Sequence, residues 1–149
     1  MSKRPADSRH GAMIKGAVVG LAGHAAFAVV LYSLPPGGEP AAGEQSGAGT
    51  LLLFHAAALA PTLVAGAGLG WLARRSCRAR AIVLVLGGLA ACVGVFAATF
   101  ALLGGGVSGL WFGALMAVVF GAFLVPIGIA SGLVLTAWVR PPGLQTQLG

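Results

Sequence analysis

Charged side chains occupy only a few short stretches of this chain, and between them lie four runs without a single Lys, Arg, Asp or Glu: residues 16–34, 51–73, 81–103 and 110–139. A helix needs about 20 apolar residues to cross the roughly 30 Å hydrocarbon core of a bilayer, and the first three runs match that length. The pattern therefore predicts an all-α integral membrane protein, a four-transmembrane-helix bundle forming one membrane domain. The fourth run would measure about 45 Å as a straight helix, so it must tilt or break. Pro126, followed by Gly128, predicts a kink near residue 126, and Pro61 predicts a kink one turn before it in the second helix.

The connecting stretches complete the map. Residues 1–15 form a basic tail, 35–50 a Pro/Gly/Ala-rich outer loop carrying Glu39 and Glu44, 74–80 a basic hinge, 104–109 a glycine-rich outer turn, and 140–149 a second tail. A cleaved secretory signal is the rival reading of the first run. Its apolar core should span only about 7 to 15 residues, and no clear A-x-A site follows, so a retained helix is expected.

Charge gives the map an orientation. The hinge holds Arg74, Arg75, Arg78 and Arg80, the N-terminal tail holds Lys3, Arg4, Arg9 and Lys15, and Arg140 follows the last run. Lys and Arg in short loops mark the cytoplasmic side, so both termini and the hinge are expected there, in a bacterial plasma membrane. Trp111 and Trp138 suit the two headgroup belts. The net charge of +6 on 149 residues would by itself suggest nucleic acid, but only 8% of residues are charged, 58% are hydrophobic and the mean hydropathy is +0.95. The basic residues are read instead as topology and lipid-headgroup contacts, each worth about 1 kcal/mol near an anionic surface.

Catalytic signatures are absent. No CxxC, Walker loop, HExxH or Cys/His cluster at metal spacing occurs, which predicts a non-enzymatic protein without a metal or cofactor. Cys77 in the hinge and Cys92 within the third run do not make a disulfide framework; Cys92 is read as a packing residue. The hydroxyls of Thr62, Thr99 and Ser131 are expected to bond to carbonyls of their own helices.

In lipid, helices associate through close packing, and small residues at four-residue spacing mark the seams. Gly16 and Gly20, Gly66 and Gly70, Gly94, Gly113 and Gly121, and Gly128 and Gly132 supply such stripes on all four helices. They support the leading functional reading, a helix-packing subunit or homo-oligomeric membrane component whose partner is itself or another membrane protein.

Two other readings rest on His24 and His55, the ionisable side chains deep in the apolar runs apart from cysteine and tyrosine. One is a small transporter or channel with His24 in the path. The other is a b-type haem carrier using both imidazoles as ligands. Counting from the run boundaries places His24 about 15 Å and His55 about 6 Å below the outer surface, an offset that argues against a shared iron.

Overall fold

The computed structural model describes residues 7–33, 47–75 and 80–142. Among them are only helices: α1 (Arg9–Ser33), α2 (Gly47–Arg74), α3 (Arg80–Phe100), a π-helical turn (Ala101–Gly105), α4 (Gly106–Val119) and α5 (Gly121–Trp138). Four of the helical stretches are long and apolar enough to cross a membrane. The outer-loop residues Glu39 and Glu44, and Cys77 and Arg78 of the hinge, lie outside the described residues.

The helices extend past the uncharged runs. α1 begins at Arg9 instead of residue 16, and α2 at Gly47 instead of residue 51. Flanking polar residues have no reason to leave a helix merely because it has left hydrocarbon, so uncharged runs understate helix length. Between α3 and α4 the chain reverses within a few residues. Gly104 (φ 103°) and Gly106 (φ 50°) take left-handed backbone conformations that are costly for residues with a Cβ, and the Gly106 N–H donates to the Ala101 carbonyl.

α1 runs antiparallel to α2, and α4 and α5 both run antiparallel to α3, and glycines set how closely. A Cβ on Gly16 would strike the Gly66 carbonyl and the Gly70 backbone, and one on Gly20 would press on the Thr62 carbonyl. On the other side of the bundle, Gly109 and Gly113 of α4 face Phe100, Phe96 and Ala97 of α3, while Gly128 and Gly132 of α5 face Gly88, Leu84 and Val85. Two expected seam residues do not take part. Positions for a Cβ on Gly94 and Gly121 are open, because Gly94 points away from the bundle and Gly121 follows a break in the helix.

That break is the second departure from expectation. It falls at Phe120 (φ −84°, ψ 8°), while Pro126 sits inside α5 and Pro61 inside α2. The facing residues supply the reason. Gly113 faces Phe96, and Gly128 faces Gly88, so α4 and α5 use nearly twice as many residues as α3 between the same two contacts. The excess falls at the break, where the Phe120 ring still packs on Phe96 at 6.0 Å and Gly121 follows it.

At one end of the bundle Asp7 ties the crossings together. Its carboxylate accepts from Lys15 Nζ (2.8 Å) and from the Arg140 N–H (2.9 Å), and its carbonyl accepts from Arg74 Nε (3.1 Å). Lys15 also donates to the Trp138 carbonyl (3.1 Å), and Arg80 donates to the Val139 carbonyl. Both described termini and Arg74, Arg75 and Arg80 of the hinge thus lie at one end, the basic end. Partial burial works to raise the Asp7 pKa, but the Lys15 and Arg140 hydrogen bonds and charges outweigh it and hold the carboxyl below its ordinary range.

Candidate functional site

His24 and His55 meet. Nδ1 of His55 lies 3.2 Å from Nε2 of His24, with ring centroids 5.0 Å apart and the planes nearly perpendicular. The expected offset in depth disappears because α2 starts at Gly47, four residues before its apolar run. Counting from Gly47, His55 is about 12 Å along α2; counting back from Ser33, His24 is about 13 Å along α1. The antiparallel pairing of α1 and α2 then places the rings opposite each other.

Of the two nitrogens in contact, one must donate. We assign the proton to His55 Nδ1. The Nε2 atom of His55 is buried without a hydrogen-bond partner, and the reverse assignment would make that orphan an N–H donor. A bare acceptor is the cheaper of the two to leave unpaired. His24 then accepts at Nε2 and carries its own hydrogen on Nδ1.

Aromatic rings flank His55. Phe54 stands edge-on to His55 at 5.7 Å, and Tyr32, itself half-exposed, lies at the same distance on the other side. Phe27, Phe96 and Phe120 form an adjoining cluster with centroids 5.3 to 6.0 Å apart. This packing does not fit a haem. Axial imidazoles hold an iron between them, whereas these two rings touch each other directly and His55 is flanked by aromatic side chains. No group of three or more His, Cys, Asp or Glu side chains able to hold a metal occurs among the described residues.

Toward the basic end, His24 borders a partly open cavity of about 80 Å³ lined by α1, α2, α3 and α5. Gly20, Gly66, Thr62, Cys92 and Ser131 also line it, with Phe27 and Phe96 at one limit and Gly16 and Leu135 at the other. Glycine creates the space, since the seams remove side chains where the helices come nearest. By volume alone there is room for several water molecules, each needing roughly 10–15 Å³ by this measure, and the wall is mostly apolar.

Two lining residues, Thr62 and Ser131, depart from expectation, because neither bonds to a carbonyl of its own helix. Thr99 donates to the Val95 carbonyl of its own helix (2.7 Å), as foreseen, but Thr62 Oγ1 is buried with no partner and gives the cavity wall a polar group. Cys92 is half-buried, with its sulfur 3.9 Å from the Leu124 carbonyl. Thr62 was hard to single out from the sequence, because a membrane-helix threonine ordinarily bonds back to its own helix.

A second polar feature lies at the basic end, where Arg9, Trp71, Arg74, Arg75 and Pro142 surround an open recess of about 480 Å³. The Arg75 guanidinium stacks over Trp71, 4.0 Å from the ring centroid. Arg140 lies nearby in the Asp7 clasp, and Arg80 spans from the start of α3 to the end of α5.

No family model matches the chain, and neither a curated protein nor a solved structure does.

Proposed function

We propose that the chain is a proton-conducting protein of the bacterial plasma membrane, with its basic end in the cytoplasm and the His24–His55 pair as the proton-binding step. The observation that carries this reading is the direct imidazole contact inside an apolar bundle, next to a cavity with polar groups in its wall. Ionisable groups at membrane depth are expensive, and they are retained where a charge or proton has to pass. The arginine and lysine distribution supports the orientation.

The transfer follows from the tautomers assigned above. A proton from the far side binds the bare Nε2 of His55 and makes an imidazolium. His55 gives its Nδ1 proton to Nε2 of His24, which releases its own Nδ1 proton toward the cavity. One proton enters and one leaves, and tautomer exchange on both rings restores the starting state.

The test is proton entry into liposomes holding the full-length protein and a pH-sensitive dye, driven by a potassium diffusion potential. The protein should raise the rate at least tenfold over empty vesicles, and His24→Phe or His55→Phe should return it to the empty-vesicle rate. A wild-type rate no faster than that of empty vesicles overturns the reading.

A second reading, a packing subunit of a larger membrane assembly, draws on Gly94 and Gly121. Most of the glycine stripes are consumed inside the protomer, and these two remain open to a neighbouring chain. On that reading Gly94→Leu separates the assembly and leaves the protomer folded.

A further inference from the structure

We propose that the recess at the basic end binds the phosphate of an anionic phospholipid, one acyl chain of which lies along the outer face of α2. The inference is independent of proton conduction.

Charge comes first. Arg9, Arg74 and Arg75 line a single recess, and Asp7 is the only acid among the described residues. The Asp7 carboxylate is already engaged by Lys15 and the Arg140 N–H, in the one ion pair among the described residues. Three arginines therefore line this space, no carboxylate among the described residues neutralises them, and the complement of such a site is an anion.

The arginines are also held in place. The Arg74 Nε–H bond to the Asp7 carbonyl fixes the start of its guanidinium, and stacking on Trp71 holds the Arg75 fork flat, with its N–H groups directed in the plane. Planar, pre-oriented forks suit the paired oxygens of a phosphate better than mobile ammonium groups do.

The identity of the anion follows from what adjoins the recess. Val64, Gly68, Trp71 and Arg75 recur at spacings of four, three and four, which places them on one face of α2. Val64 is 74% exposed, and a Cβ on Gly68 would meet nothing within 4 Å, so this face carries a shallow trough leading from the recess along the apolar length of the helix. A free phosphate has no use for that trough, whereas an acyl chain fills it. The recess is also far larger than one phosphate and suits a whole glycerol-phosphate headgroup, within the roughly 300–1,000 Å³ common for ligand sites.

The experiment uses the full chain in a zwitterionic detergent, titrated with phosphatidylglycerol, phosphatidylcholine or glycerol phosphate, and reads the thermal unfolding midpoint together with lipid retention in native mass spectrometry. Phosphatidylglycerol should bind and stabilise, and the other two should not. Arg75→Gln should weaken binding at least tenfold, while Arg140→Gln, which removes the same charge outside the recess, should change it less than twofold. Gly68→Phe should block the lipid by filling the trough. If Arg75→Gln folds poorly, Arg75→Lys keeps the charge and should still bind several-fold more weakly because it loses the fork. Equal effects of Arg75→Gln and Arg140→Gln, equal binding of phosphatidylcholine, stabilisation by glycerol phosphate matching the lipid, or unchanged binding in Gly68→Phe would each overturn the proposal.

Discussion

Gly16 of α1 and Gly70 of α2 lie backbone to backbone, so close that a methyl group on either would overlap main-chain atoms of the other helix. Main chain cannot rotate aside as a side chain can, so the two helices would have to separate along the whole seam. Gly16→Ala is therefore expected to destabilise the bundle by about 1–3 kcal/mol, the usual range for overpacking. Gly94→Ala, whose methyl meets nothing, should leave stability unchanged or raise it by up to about 1 kcal/mol through better helix propensity. Reversible unfolding in mixed micelles measures both, and equal losses in the two variants would remove the seam from the account.

The tautomer assignment makes a spectroscopic prediction. In protein labelled with ¹⁵N at histidine and held in lipid at neutral pH, His55 should carry its hydrogen on Nδ1, the less common neutral form. In His24→Phe the acceptor is gone, and His55 should revert toward the Nε2–H form. A wild-type His55 protonated at Nε2 would reverse the assigned direction of transfer.

Acid should loosen the clasp at the basic end. The Asp7 carboxyl has its pKa lowered in the folded protein, because its bonds to Lys15 and the Arg140 N–H outweigh the opposing effect of burial. A group with a lowered folded pKa contributes stability that is fully present above its unfolded value, about 3.9 for aspartate, and is lost as pH falls through the folded value. The thermal midpoint of the wild type should accordingly drop between pH 5 and pH 3 by more than that of Asp7→Asn, which lacks the titrating group. Parallel curves for the two proteins would show that Asp7 contributes nothing to the acid response.

Much of the candidate site was already visible in residue types. His24 and His55 stood out because ionisable side chains in long apolar runs are rare, and the arginine cluster stood out for the same reason in reverse. Their relationships were not visible. The depth of His55 hinged on where α2 begins, and uncharged residues such as Gly47 and Thr50 do not announce a helix start. Gly113 and Gly121 belong to one stripe on paper. The break at Phe120 separates the second from the seam that buries the first.

By itself, the sequence determined that this is a chain of four long apolar helices with its charges gathered between them, since the cost of a charge in hydrocarbon is local and can be read one residue at a time. The tertiary structure alone decided that His24 meets His55, that Thr62 lines a cavity, that Arg9 joins Arg74 and Arg75 around one recess, and which glycines are seams. Each of these depends on the rotation and register of one helix against another. In a membrane those are set by close packing between surfaces that are all apolar, so no alternation of polar and apolar residues records them in the sequence.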